Sequence, residues 1–287
     1  GNVRGSVQIV HGMAEYVERS ENLAEFLTKR GILVTGEDHL GHGKSVSEGG
    51  SFGYFCEQDP ATVVVRDVHR LKKITEEQYP QVPYIILGHS MGSFIARNYL
   101  CRYGSGIGGA VIVGTGMQPA GLIFASKAMA GIQKLFCGSK HVSHFIDKAA
   151  FGGYNKRIDS PRTSSDWLSR NTENVDRYIA DELCGFTFTV NGFQTLFELI
   201  RRLQKQENLE KVPQNLPILM VSGAEDPVGD YGKGVHKACD SLKRAGVKNI
   251  TVKLYENDRH ELLNEDDAET AMEDIWQWIC KEIPGIA

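Results

Sequence analysis

The sequence predicts an α/β fold: a mostly parallel sheet flanked by helices and interrupted by a helical insertion. Three observations carry this. Short apolar runs alternate with longer amphipathic stretches over residues 7–113, the alternation stops between about residues 116 and 210, and it resumes from residue 218 to residue 279. Strands alternating with helices build a parallel sheet, because a parallel neighbour is reached only through a crossover, usually a helix. The expected organisation is a core of residues 1–115 and 211–287, with residues 116–210 as a helical cap or lid.

Each element has its own signal. Residues 7–10 (VQIV) are a short apolar strand. Residues 18–30 place Leu23, Phe26 and Leu27 on one helical face, and Gly31 stops that helix. Residues 32–35 form the next strand, residues 62–79 a helix ended by Pro80, and residues 84–87 a buried strand. A helix continues over 94–103 to Gly104, and residues 110–113 are again a strand. The insertion holds apolar helices at 122–136 and 192–203, with a polar stretch at 155–176 between them. A strand at 218–221, a helix at 233–245, a strand at 250–255 and a helix at 268–279 complete the pattern.

Composition bounds the function. With 41% hydrophobic and 24% charged residues among 287, the chain can close a core around a shaped site. A formal net charge of -4 leaves no cationic excess to neutralise phosphates, which argues against nucleic acid as a partner. Cys56, Cys101, Cys137, Cys184, Cys239 and Cys280 are scattered without a CxxC pair. Free thiols in a reducing cytoplasm are therefore expected, not a disulfide framework. No apolar run reaches the length of a bilayer span, and the first residues lack the apolar stretch of a signal peptide.

Gly88-His89-Ser90-Met91-Gly92 fits G-x-S-x-G between a strand and a helix. Among 31 glycines the letters alone are weak, since a turn holding an ordinary serine reads the same. The strand–turn–helix context makes the motif a nucleophile elbow. Ser90 then sits at a helix N-terminus, where free N–H groups and the helix dipole favour negative charge.

After such an elbow the acid and then the histidine follow along the chain. Of nine histidines, only His236 and His260 come after the last candidate acid. His236 falls inside an amphipathic helix. His260 falls in a loop after a strand, where α/β sheets gather their chemistry, and is expected as general base. The acid is sought among Glu225, Asp226 and Asp230. Asp226 is preferred, because Pro227 fixes the turn behind it and its short side chain suits an orienting bond to the imidazole. Glu225 and Asp230 read as solvated or capping residues, and Asp258 as a turn residue that is the minor alternative acid. The oxyanion donors expected are the N–H groups of Met13 and Met91, each worth about 3 kcal/mol of barrier. His11 precedes Ser90 and reads as a loop-shaping residue. His141 and His144 have no matching thiol or carboxylate cluster and read as polar lid residues rather than metal ligands, and a serine nucleophile with this base and acid is expected to need neither a metal nor an organic cofactor.

His11-Gly12-Met13-Ala14-Glu15, Asp38-His39-Leu40-Gly41-His42-Gly43-Lys44-Ser45, the elbow, Asp226-Pro227-Val228-Gly229-Asp230 and Arg259-His260-Glu261-Leu262-Leu263-Asn264-Glu265 occur in that order. Together they resemble the monoacylglycerol lipase and lysophospholipase (serine aminopeptidase-like) group of α/β-hydrolases, from Val7 to the final helix. The insertion is similar to that group's lid through Trp167-Leu168-Ser169-Arg170 and Cys184-Gly185-Phe186-Thr187-Phe188-Thr189. The resemblance implies an α/β-hydrolase fold and hydrolysis of a small acyl-bearing ester, a monoacylglycerol or lysophospholipid, through an acyl-enzyme on Ser90. Two departures stand out. The β-hairpin usual before the first strand has no counterpart in this sequence. Tyr16 and Leu40 stand where histidine and arginine are common, and both are expected near the site mouth.

Residues 121–136 are apolar over most of the helical circumference. The plain reading is a buried lid core. The functional reading is an acyl-chain wall, or a surface that touches lipid aggregates and gives transient membrane contact. Leu122 and Phe124, with Phe186, Phe188, Phe193 and Leu196 opposite, are the expected acyl-binding residues. The rivals are a small-ester carboxylesterase or an aminopeptidase on the same fold, and a non-catalytic binding protein. An aminopeptidase needs lid carboxylates for a free amine, and the insertion's helices are poor in them. Against a binding protein stand all three triad residue types in order.

Overall fold

A computed structural model describes residues 3–286. Its sheet has six strands, β1 (Gly5–Val10), β2 (Ile32–Gly36), β3 (Tyr84–His89), β4 (Gly109–Val113), β5 (Ile218–Gly223) and β6 (Ile250–Tyr255), in the order β2-β1-β3-β4-β5-β6. Every pairing among them is parallel. The central strands read as unbroken apolar runs because helices cover both faces. On β3, Ile85 and Leu87 pack on one side and Ile86 on the other.

The first face is covered by α1 (Glu21–Thr28) and α10 (Ala268–Glu282), through Leu23, Leu27, Ile275 and Ile279. The second is covered by α2 (Pro60–Gln78), α3 (Met91–Tyr103) and α9 (Lys233–Arg244), through Val64, Val68, Ile95, Tyr99, Val235 and Ala238. Two helices of this second layer begin earlier than periodicity alone suggests. At α2, Asp59 accepts from the Thr62 amide and Pro60 occupies the first turn, which needs no N–H there. At α3, the helix starts directly after Ser90, with no linking residues.

The chain runs outward in opposite directions from β1 and β3, so the strand order reverses between them. Open α/β sheets form a crevice at the carboxyl ends of strands at such a switch point. Val10 pairs in register with Gly88, so the loop after β1 and the turn after β3 leave the sheet side by side.

Between β4 and β5 the chain forms α4 (Ala120–Cys137), α5 (His144–Phe151), α6 (Thr172–Ala180), α7 (Val190–Leu203) and α8 (Gln206–Leu209). The α7 helix is the anchor of this segment. It buries Phe193, Leu196, Phe197, Leu199, Ile200 and Leu203, and its Leu199 carbonyl accepts from Asn98 of α3. The α4 helix departs from the reading as a buried core, since only Ile123 and Ala130 are buried along it. The polar stretch at 155–176 is also more ordered than its composition suggests. It contains a 3-10 turn at Asp166–Leu168 and the capped start of α6, where Asn171 accepts from the Asn174 amide.

Candidate active site

The turn after β3 closes only because its flanking residues lack side chains. A Cβ on Gly92 would lie 1.9 Å from the Val10 carbonyl oxygen, and one on Gly88 would lie 2.3 Å from that of Gly92. Ser90 between them is held at φ 57° and ψ -122°. Its amide donates to the Val113 carbonyl (3.0 Å), and the Ser93 hydroxyl donates back to its carbonyl (2.6 Å).

His260 Nε2 lies 2.7 Å from Ser90 Oγ, and His260 Nδ1 lies 2.8 Å from Asp226 Oδ2. The serine hydroxyl donates to Nε2, and Nδ1–H donates to the carboxylate. Asp226 is fully buried after β5 and also accepts from the Val228 amide (2.8 Å). The three residues picked out by order and context are thus one continuous hydrogen-bonded chain. The other candidates lie elsewhere. Glu225 and Asp230 are exposed, as is His236 on α9. Asp258 pairs with Arg170, and burial, with Asp267 and Glu265 nearby, pushes its carboxyl up to about 6.

The loop after β1 is set by two groups of side chains. Glu15 Oε1 accepts from the Gly12 amide (2.6 Å), which leaves the next amide, Met13, free to face the site. Neither Met13 N–H nor Met91 N–H donates to another protein group among the described residues, as an oxyanion-binding pair requires. Beneath the loop, His11, His39 and His42 form a buried cluster. His11 Nε2 accepts from the His39 amide (3.0 Å), and His42 Nε2 accepts from the Ala14 amide (3.2 Å). Burial holds His11 well below the usual histidine value and pushes His42 down to about 3, so both rings are neutral and able to accept.

A polar network next to the triad escaped the sequence reading. Arg19 donates to Glu15 (2.9 Å) and to Glu261 (2.5 Å), and Asn174 of α6 also donates to Glu261 (2.5 Å). His89 Nε2 donates to the His260 carbonyl (3.1 Å), while its Nδ1 faces Glu15 at 3.5 Å. Burial opposes charge on His89, but the Glu15 hydrogen bond and charge outweigh it and raise its pKa. The Trp167 indole packs 5.1 Å from the His260 ring, centroid to centroid. The available signals were the neighbours of the chosen residues, since Glu15 closes the first motif and Glu261 follows His260 directly.

Over the triad lies a cavity of about 990 Å³, mostly apolar in its lining. Leu122, Phe186 and Leu196 line it, with Met129, Phe151 and Ile200. Three of the expected acyl-binding residues do not. Phe124 is 77% exposed on the outside of α4. Phe188 and Phe193 are fully buried, stacked among Phe55 and Phe197 under the wall rather than on it. Tyr16 and Leu40 also lie off the cavity. The Tyr16 hydroxyl donates to Asp181 (2.8 Å), and Leu40 packs on the core.

The model of the family described as serine aminopeptidase, S33 matches residues 1–267. The chain is 27% identical to the monoglyceride lipase of Rattus norvegicus over 287 residues, covering 99% of this chain and 84% of that one. It is 27% identical to the monoacylglycerol lipase of Mycolicibacterium smegmatis over 281 residues, covering 98% and 89%. It superposes on a thermostable carboxyl esterase from Bacillus coagulans, solved in complex with glycerol, with TM-score 0.92 and 30% identity over 100% of this chain and 92% of that one.

Proposed function

The chain belongs to the serine aminopeptidase, S33 family, and from that premise we propose that it hydrolyses carboxylic esters of the monoacylglycerol or lysophospholipid type through an acyl-enzyme on Ser90. The observation that carries this reading is the Ser90–His260–Asp226 hydrogen-bond chain beneath a large apolar cavity. Ser90 Oγ attacks the ester carbonyl carbon as its proton passes to His260 Nε2, and Asp226 stabilises the imidazolium. The Met13 and Met91 amides hold the oxyanion. His260 then returns the proton to the departing alkoxide, and a water deprotonated by the same imidazole cleaves the acyl-enzyme.

The acyl chain lies along Leu122, Met129, Phe186, Leu196 and Ile200. The outer face of α4 meets lipid aggregates, because the helix that lines the cavity also exposes Leu135 and Phe136, at 84% and 85%. The aminopeptidase alternative is the weaker one. Of the four carboxylates that line the cavity, Glu15 and Glu261, those beside the oxyanion loop, are already bonded to Arg19, which leaves only Asp147 and Asp230 for a terminal ammonium.

Hydrolysis of p-nitrophenyl esters from acetate to palmitate, wild type beside Ser90→Ala, tests the proposal. The expected profile peaks at medium or long chains and falls roughly 10⁴-fold or more in kcat in the variant. Activity confined to acetate and butyrate would remove the lipid-ester assignment. Equal activity in both proteins would remove Ser90 as nucleophile.

A further inference from the structure

Beside the candidate triad is a second cavity, about 240 Å³, that ester hydrolysis does not use. It shares two walls with the larger one, Tyr154 and Trp167. Apart from Ile158, the rest of its lining is polar, and its charge is mostly cationic. Arg157, Arg170 and Arg259 face one carboxylate, Glu225, together with Tyr231 and Asn257. Its volume is below that of sites for drug-sized ligands, so its occupant is a small group rather than an acyl chain.

Two of the three arginines carry charge that no carboxylate answers. Arg170 is engaged by Asp258 and Asp267. Arg259 donates through Nη1 to the carbonyls of Asp166 (2.8 Å) and Ser169 (3.1 Å), and it pairs with no carboxylate among the described residues. Those two bonds fix the guanidinium while leaving its Nε and Nη2 without a protein acceptor. Arg157 sits over the Tyr231 ring, its Cζ 3.4 Å from the centroid, and it too has no carboxylate partner among the described residues. Oriented guanidinium forks match the geometry of carboxylate and phosphate oxygens. Two of them in one concavity attract an anion more strongly than either alone.

We propose that this pocket binds a small oxyanion, a phosphate or carboxylate group, between Arg157 and Arg259. The anion has two sources: a free small molecule, or the alcohol part of the ester itself. In either case it reaches the triad through Trp167, whose indole packs on His260.

The first measurement is a titration of the whole chain with inorganic phosphate at constant ionic strength, followed by tryptophan fluorescence. The wild type should saturate, and Trp167→Phe should lose the signal while Trp276 and Trp278 remain. Arg157→Gln and Arg259→Gln should each weaken binding tenfold or more. Arg157 is exposed and makes no hydrogen bond among the described residues, so its variant keeps the fold, and thermal melting checks this. The second measurement compares kcat/KM for acyl esters of glycerol and of glycerol phosphate. A preference for the phosphate-bearing ester that falls fivefold or more in Arg157→Gln identifies the substrate as the source of the anion. Phosphate binding lost in Arg157→Gln without a change of preference identifies a free anion. A wild type that does not saturate, or one that binds no better than both arginine variants, overturns the proposal. The titration needs no turnover, so its failure is separate from a failure of the Ser90 reading.

Discussion

Like Ala14, at φ 53° in the loop after β1, Ser90 holds local backbone strain in the site. Its φ of 57° with ψ -122° is a region that costs a residue with a side chain on the order of 1–3 kcal/mol. The surroundings enforce it, because the carbonyl of Val113 takes the Ser90 amide and Gly88 and Gly92 allow β1, β3 and α3 to close around the turn. The return is orientation, since the hydroxyl is aimed at His260 rather than into the helix. A glycine at this position relieves the strain and loses part of the gain through unfolded-state entropy. Ser90→Gly is therefore expected to be more stable than wild type by about 0.5–1 kcal/mol, and inactive. Ser90→Ala, which keeps a Cβ, should gain less. Thermal melts of the three proteins decide it, and a Ser90→Gly that melts below wild type would mean the turn is not strained. At this scale the sequence was informative where chain order and turn context select one residue, as for Ser90, Asp226 and His260, which the fold brings into one hydrogen-bonded chain. It was mute on Arg19, which holds Glu15 and reaches across 242 positions to Glu261, because no local pattern marks a charge pair made by the fold.

At the scale of the element, the legible parts are those with one dominant period. The central strands β3, β4 and β5 declare themselves because burial on both faces makes them mostly apolar. The α4 helix does the opposite. It is apolar all round, so periodicity names no buried side, and Phe124 and Leu122 read alike although only Leu122 reaches the cavity. Phe188 and Phe193 mislead for a related reason, because an aromatic ring in a core and one in a pocket wall have the same sequence signature. The exposed residues of α4 carry the testable consequence. Leu135 and Phe136 stand at 84% and 85% exposure near the helix end, with Phe145 of α5 at 64% close by in sequence, and Lys134 and Lys140 flank them. Moving a leucine or phenylalanine from water into an apolar phase is worth about 1.5–3 kcal/mol. A Leu135→Glu, Phe136→Glu double variant should therefore lose tenfold or more in activity on ester dispersed in vesicles. Its rate on a soluble short-chain ester should stay within about twofold. Equal losses on both substrates would assign these residues to folding or to the cavity, and no loss on either would leave the outer face of α4 without a lipid role.

The whole molecule answers pH through two opposed sets of buried groups. His11, His39 and His42 are held neutral by burial, with His39 down to about 4 and His42 to about 3. Their folded pKa values lie below the unfolded value near 6.5. Between about pH 4 and 6.5 the unfolded chain therefore binds protons that the folded chain refuses, and stability falls as pH drops through that window. The fall strikes the site directly, because a protonated His42 can no longer accept from the Ala14 amide beside Met13. Glu37 runs the other way. Burial, aided by Asp67, pushes its carboxyl up to about 7, and its Oε1 is buried without a partner. The folded chain keeps that proton when the unfolded chain, with a carboxylate near 4.3, has lost it, so Glu37 costs stability as pH rises from about 4.5 to 7. The two sets overlap and partly cancel, which flattens the wild-type profile while hiding both. Glu37→Gln removes the opposing carboxylate with the largest shift. Relative to wild type the variant should gain about 3 kcal/mol between pH 4.5 and pH 8, measured by urea unfolding at both pH values. The acid side of its own profile should then steepen, because the carboxylate with the largest upward shift no longer opposes the histidines. A constant difference between the two proteins across that range would mean that Glu37 ionises in the folded chain as it does in the unfolded one, and that the cancellation does not exist.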